Sequence, residues 1–559
     1  MFKSFIRNPY ALITLVYVLA HFFLLILSGC WWDDWTFSTH NLDYIHAVAS
    51  QSGRPEWDLL IPFCWSLPNN GRILIFFLYY LISLFVYNIF LKSDLFDEKE
   101  SLILALVFSV VPVNDARLLI SNFSYTVGLF FFYMSFMFFV RWNHMEKSLK
   151  KTIFRILLLI SFYIGFILNS VLAFYYILIA YLFVLDFRKN KESNIIRRFF
   201  ITVKNVLISY PDFFIWPFVY YGMNKLLFPT TGDVFGEYNA VTVDGAIKCL
   251  TFIPKSLVSL FLDILKKCLS CINIFTVIII LITVTAVYFL SEEDKDGEKR
   301  GLNDSIRFFV YGVFVLIMGL LPYVMVRGHR IDTMGVKGRD AVLLPFGVTI
   351  VMYSLFSLLK GRIKKTTVSL VVVLGIIAMN SLYIEWQKDY YYQLSMENLF
   401  NNRIIKENDT FFLIDLNESE IEAQRYYSLN TNSYNVFGDQ TRFFVPKVSN
   451  LYILEDEETL KKAVATLEYS PMMKDYDPDD LYFDAILNYT NDLSWIETLQ
   501  LKYLEMFNKE KFDSVIKSKG TLDIYVVDDD FTIELMKEYD EGKLNDDQDV
   551  LDLLLEYVN

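Results

Sequence analysis

Eleven apolar runs, each long enough to cross the roughly 30 Å hydrocarbon layer of a bilayer, mark out the first 384 residues. They lie near 10–29, 72–91, 101–119, 123–141, 153–168, 170–186, 206–228, 271–290, 306–326, 340–359 and 366–384. Between them the basic residues fall in alternate loops: Lys3/Arg7, Arg141 to Arg155, Arg188 to Lys204, Lys295 to Arg307 and Lys360 to Lys365. Short cytoplasmic loops are enriched in Lys and Arg. The pattern therefore predicts a multi-pass protein of the plasma (inner) membrane with its N-terminus inside. The segments 30–71, 112–122, 229–270 and 327–339 then lie outside, and an odd number of spans puts the C-terminal part outside as well. Lys3 and Arg7 ahead of an apolar run resemble a signal peptide, but the run is of spanning length and Gly29-Cys30-Trp31 is a poor cleavage site, so an uncleaved first span is expected.

Shorter patterns fill the connections. The loop Cys30 to Gly71 is long for a helix bundle and should carry its own structure. Asp43 to Ser52 and Trp57 to Trp65 suit helices lying in the interface, with tryptophans at headgroup depth. Asp244 to Leu269 reads as an amphipathic helix along the membrane, after the turn-rich FPTTGDVFGEYNAV; its Lys255, Lys266 and Lys267 either face lipid phosphate or snorkel. Beyond residue 384, Thr410 to Ile414 and Asp523 to Val527 read as buried strands and Glu455 to Glu468 as a helix, giving a small mixed α/β domain. The fold class is thus an all-α polytopic membrane body (1–384, about 11 transmembrane helices) with an extracytoplasmic mixed α/β domain (385–559).

Charge sharpens this division. Residues 385–559 hold 38 Asp/Glu against 16 Lys/Arg, a net of −22, which leaves the first 384 residues at +9. An acidic exposed domain excludes nucleic acid as a partner. Its runs Asp477 to Asp480, Asp528 to Asp530 and Asp546 to Asp549 lack EF-hand spacing and read as a solvated surface. The five cysteines give neither a disulfide framework nor a zinc site.

The candidate chemistry centres on WWDDWTF (Trp31 to Phe37), just after the first span. Adjacent side chains diverge, so Asp33 and Asp34 do not form a matched acid/base pair on one bond. Splitting a glycosidic bond needs two separated carboxylates. Transfer from a phosphate-activated sugar needs only one base, plus cations for the departing phosphate. The cation candidates are Arg72 (PNNGR), Arg117 (NDAR), and Arg327, Arg330, Lys337 and Arg339 before the tenth span, since the guanidinium fork suits phosphate. Asp115 is a candidate support or acceptor contact, or simply an ion-pair partner of Arg117. His40 and His46 offer a metal-site alternative with the Asp pair, and a divalent cation (Mg or Mn) on Asp33 or Asp34 stays open. Trp31, Trp32 and Trp35 would hold the motif at headgroup depth.

WWDDW followed by NNGR, FPTTGDVFGEYN and GRDAVLLPFG resembles the GT-C superfamily of polyprenyl-phosphate-sugar-dependent membrane glycosyltransferases. It looks most like the GtrII-like enzymes of bacterial surface polysaccharide and O-antigen synthesis in the cell envelope. The resemblance covers the first 384 residues. It implies an inverting transfer of a sugar from undecaprenyl- or dolichyl-phosphate to a glycan or lipid-linked acceptor at the outer leaflet. It also implies a base at Asp33 or Asp34, slightly favouring Asp33, and donor-phosphate contacts at Arg72, Arg117 and Arg339. In such enzymes the C-terminal domain varies and often contacts the acceptor. The alternatives are a polysaccharide polymerase or ligase of the same pathway and a glycolipid transporter or flippase. The few mid-membrane charges and the lack of a convincing repeat count against the last.

Overall fold

The computed structural model describes residues 8–31, 34, 42–190, 192–231, 243–290, 301–331, 333, 335–401, 411–415, 451–454, 485–490, 493–519, 521–527 and 533–540. By contacts the chain divides into two compact units: Met1–Leu27 with His40–Ser381, and Ser28–Thr39 with Leu382–Asn559.

A helix stands at each of the eleven positions that hydropathy marks out. In chain order the first unit contains α1 (Pro9–Ile26), α2 (Leu42–Gln51), α3 (Glu56–Ser66), α4 (Arg72–Lys92), α5 (Glu98–Val110), α6 (Phe123–Asn143) and α7 (Leu149–Gly165). It continues with α8 (Val171–Phe174), α9 (Tyr176–Lys189), α10 (Ile195–Ser209), α11 (Pro211–Leu227), α12 (Val243–Ser270), α13 (Ile274–Leu290), α14 (Leu302–Arg327) and α15 (Leu344–Phe356). Seven stretches among the described residues are long and apolar enough to cross a membrane, and the chain is a helical polytopic membrane protein. Outward-facing Leu15, Leu19 and Phe22 on α1 and Ile153, Ile156, Leu157 and Ile160 on α7 are exposed. Such surfaces would cost solubility in water but suit lipid, where the helices satisfy their own backbone.

Length and composition alone would let α12 cross too, but its contacts argue otherwise. The Lys248 side chain reaches Gly328, the Ser256 hydroxyl accepts from the Ile331 N–H, and Lys267 donates to the Thr333 carbonyl. The five residue steps from 328 to 333 span at most about 18 Å, less than the hydrocarbon thickness. Both ends of α12 therefore meet one short connector, as expected of a helix lying along a face.

The core of this unit is aromatic. Phe90 and Phe346 stack at 5.1 Å, with Tyr133 and Phe136 around Phe346. Gly128 of α6 and Gly165 of α7 face each other; a Cβ on Gly128 would lie 2.8 Å from the Cβ of Leu168. Small residues at such crossings bring helix backbones together.

The 41-residue helix α16 (Gly361–Asn401) begins in the first unit and ends in the second. The expected span stops at residue 384. The helix continues because Trp386, Tyr391 and Tyr392 beyond that point are themselves buried. The second unit adds α17 (Trp495–Phe507) and α18 (Lys509–Lys517) and strands β1 (Phe411–Asp415), β2 (Leu451–Leu454), β3 (Ala485–Thr490), β4 (Thr521–Val527) and β5 (Ile533–Asp540). These form one sheet in the order β2-β1-β3-β4-β5. The β1–β2 and β1–β3 pairs are parallel, and β3–β4 and β4–β5 are antiparallel. β1 and β4 coincide with the two strands expected from sequence. The expected helix 455–468 and the three Asp runs lie outside the described residues. Tyr391, Leu493, Leu501, Phe512 and Ile516 make a small core between α16, α17 and α18.

Candidate functional site

In the first unit the site is built on the connection between α5 and α6. This connection is buried, so it must satisfy its polar backbone without a ladder. Asn114 turns the chain in a left-handed conformation (φ 62°) into a short 3-10 turn, Asp115–Leu118. Arg117 donates from Nε to the Asn114 carbonyl at 2.8 Å and from Nη2 to the Val113 carbonyl at 3.1 Å. Its guanidinium lies over the Tyr79 ring, 4.8 Å from the centroid. Tyr79 in turn accepts from the Asn114 amide at 3.1 Å.

Arg72 comes to the same loop from α4. The preceding Asn69, Asn70 and Gly71 all have positive φ (53°, 48° and 74°), and a Cβ at position 71 would overlap Cys64 Sγ at 2.2 Å. Asn and Gly are the residues that tolerate this conformation. The turn delivers Arg72, 1% exposed, to the start of α4, where Nε donates to the Leu118 carbonyl at 3.3 Å.

Asp115 does not pair with Arg117, as the alternative reading of NDAR had it. It pairs with Lys267 on α12, with Nζ 3.2 Å from Oδ1 and both side chains essentially unexposed (1% and 0%). Lys267 Nζ also donates to the Thr333 carbonyl at 2.6 Å, and the Thr333 hydroxyl donates to Asp263 at 2.8 Å. The 3-10 helix Gly335–Ala341 packs on Asp115–Leu118, with Gly338 directly against the Asp115 carboxylate. It carries Arg339, whose Nε stands 3.9 Å from Asp340, beyond hydrogen-bond distance. Around this loop stand three cations: Arg72 on the Leu118 carbonyl, Arg117 on the Asn114 and Val113 carbonyls, and Lys267 on the Asp115 carboxylate. Guanidinium donors brought to one loop are suited to an oxyanion. Arg117 also lines a cavity, shared with Tyr17, Tyr79, Ser83, Asn114 and Tyr133, of ≈ 20 Å³ measured as room for the centre of a water-sized sphere. That is space for about one water, not for a sugar.

In the second unit, Asp34 is fully buried and its N–H donates to the Trp31 carbonyl at 3.0 Å. Trp31 packs inside protein. It is 0% exposed and packs edge-on against Trp386, with centroids 5.2 Å apart. Asp33, Trp35 and His40 lie outside the described residues. His46 pairs with Asp58 at 2.8 Å. Among the described residues no three of His, Cys, Asp and Glu gather as metal ligands, and all five cysteines are free thiols.

No family model matches the sequence, and no curated protein matches it. Solved structures do. One is the oligosaccharyltransferase of Archaeoglobus fulgidus, determined with Zn and sulfate, at 10% identity over 94% of this chain and 73% of that one, with a TM-score of 0.34. Another is ArnT from Cupriavidus metallidurans bound to undecaprenyl phosphate, at 10% identity over 89% and 94%, with a TM-score of 0.31. The apo form of the same ArnT follows at 8% identity over 90% and 95%, with a TM-score of 0.29. The chemistry rests on this chain's own residues.

Of the residues singled out in the sequence, the first unit brings together Arg72, Asp115 and Arg117. Sequence reasoning missed Tyr79 and Thr333 and did not tie Lys267 to the loop. Tyr79 sits in an apolar span where an aromatic carries no signal. Lys267 did carry one, a charge on the amphipathic α12, but nothing in the sequence points to a partner 152 positions earlier.

Proposed function

We propose that this protein is an inverting glycosyltransferase that moves a sugar from a polyprenyl-phosphate donor to a cell-surface glycan or lipid-linked acceptor on the outer face of the plasma membrane. The observation that carries the reading is the buried α5–α6 connection, whose backbone carbonyls hold Arg72 and Arg117 and whose Asp115 holds Lys267. A carboxylate of WWDDW, Asp33 or Asp34, takes the proton from the acceptor hydroxyl. The hydroxyl oxygen attacks the anomeric carbon from the face opposite the phosphate, so the configuration inverts. The bond to phosphate breaks, and the polyprenyl phosphate leaves as a stable anion that needs no protonation. Arg72 and Arg117 are the donor-phosphate contacts, with Arg339 as a third from the adjoining 3-10 helix. Arg117 is held by the Asn114 and Val113 carbonyls and Arg72 by that of Leu118, so little reorganisation is required when the leaving group gains charge. No step is assigned to a metal.

The test has two arms. Surface glycans from a strain lacking the protein should lack one hexose-sized mass, which wild type restores and Asp33→Asn or Asp34→Asn does not. Purified wild type should release undecaprenyl phosphate from one of a panel of undecaprenyl-phosphate hexoses. Unchanged surface glycans together with no release from any panel member would remove the proposal.

A further inference from the structure

The segment that carries the two aspartates, Ser28–Thr39, groups by contacts with the C-terminal unit rather than with the spans that flank it in sequence. Its attachments are specific. The Ser28 N–H donates to the Gln387 side-chain carbonyl at 2.9 Å. Lys502, 6% exposed, donates from Nζ to the Ser28 hydroxyl at 2.5 Å and to Glu505 at 2.7 Å. The Tyr391 hydroxyl donates to the same Glu505 carboxylate, also at 2.7 Å. Gly29 has φ 107°, and a Cβ there would fall 2.3 Å from Tyr390 Cγ, so the backbone lies flat on that ring. Trp31 packs on Trp386 and, at 6.2 Å, on Tyr390. Three consecutive kinds of hold, a hydrogen-bonded Ser28, a ring-stacked Gly29 and a buried Trp31, end three residues before Asp34.

We infer that the C-terminal unit positions the base: Lys502, braced by Glu505 and Tyr391, seats the stretch Ser28–Trp31 that leads in sequence into Asp33 and Asp34. This deepens the role proposed above for those aspartates and rests on it. A general base has to be held within about 0.5 Å of its productive place, and a 1 Å misplacement made far from the chemistry costs about 10²-fold in rate. Lys502 touches no reacting atom in this scheme. It is a positioning residue 474 positions from the serine it holds. The hold is mechanically reasonable because α17 is itself anchored. Ser494 and Glu497 form a capping box at its N-terminus, and Leu501, next to Lys502, lies in the core shared with Tyr391.

The test uses the full-length protein. Amide hydrogen exchange of the peptide covering residues 28–34 is compared for wild type, Lys502→Ala, Lys502→Arg, Ser28→Ala and Gly29→Ala. Turnover is measured with the undecaprenyl-phosphate hexose that the wild type consumes. The inference expects faster exchange in 28–34 for Lys502→Ala and Gly29→Ala, with exchange in α6 unchanged as evidence of folding. It expects kcat to fall about 10²-fold at unchanged KM for the donor, and Lys502→Arg to recover both readouts. Ser28→Ala, the mildest change, should lie between. Unchanged exchange in Lys502→Ala overturns the inference whatever happens to turnover. Faster exchange with Asp33→Asn and Asp34→Asn both as active as wild type leaves the seat in place and refutes the base assignment. A fall in kcat that Lys502→Arg does not recover, with exchange restored, also overturns it.

Discussion

Replacing Lys267 by methionine removes the cation from the buried Asp115–Lys267 pair while keeping the length and most of the volume of the side chain. At 3.2 Å and an effective dielectric of about 20, the attraction is about 5 kcal/mol. The net value of the pair is far less, because both ions were desolvated to form it, but breaking it by removing one partner typically costs about 3–5 kcal/mol. Lys267→Met also deprives the Thr333 carbonyl of its 2.6 Å donor. The expected destabilisation is therefore about 3–5 kcal/mol, at the upper end of single-site effects. Asp115→Asn should cost less, since Lys267 keeps Thr333 and the amide oxygen still accepts. The pair Asp115→Leu with Lys267→Met should recover much of the loss, because no charge is then buried alone. Detergent-solubilised protein titrated with SDS and followed by tryptophan fluorescence gives the three free energies and their coupling. A Lys267→Met protein within about 0.5 kcal/mol of wild type, or strictly additive effects, would refute the reasoning and return Lys267 to the snorkelling class.

The other expectations are shorter. Arg117→Lys keeps the charge but cannot bond the Asn114 and Val113 carbonyls together, so KM for the donor should rise at least about tenfold, read by steady-state turnover. Gly128→Ala places a methyl 2.8 Å from Leu168 Cβ and should lower stability by about 1–3 kcal/mol, seen as a lower SDS midpoint. Glu497 is held at a pKa of about 2 by its hydrogen bond from Lys519 and those from Ser494. Its folded value lies below the ordinary one, so the stabilisation is present above pH 4.5 and is lost as pH falls from 4.5 towards 2. The group is 37% exposed, which limits the effect to about 0.5–1 kcal/mol, and Glu497→Gln should flatten this pH dependence of exchange in α17.

The spans were legible because lipid imposes one rule, a continuous apolar stretch of fixed length, and that rule is written in hydropathy alone. It fails where protein replaces lipid as the surroundings. The run expected at 101–119 is helical only to Val110. Its start is set three residues earlier than expected, by the capping box of Asp97 and Glu100. Its remainder is the buried connection of the site. A buried loop and a buried span carry the same apolar residues, and only Pro112 and the left-handed Asn114 announce the difference. α16 errs the other way, running far past its expected end, because Trp386 and Tyr391 beyond the apolar run are buried in protein.

The site divides by the same logic. Arg72, Asp115 and Arg117 were legible because a charge in an apolar setting is expensive and so must have a reason. What holds each of them was not, since those partners are carbonyls of the loop and a lysine from a helix that composition explains adequately without them. For WWDDW the gap is wider. The aspartates stand out at once, yet the residues just before them, Ser28 and Gly29, are held by Gln387, Tyr390 and Lys502, three residues with no pattern of their own in an acidic domain that invites dismissal as solubilising surface. A catalytic carboxylate needs a partner that fixes its backbone more than one that shifts its charge, and backbone-fixing contacts leave no spacing in a sequence.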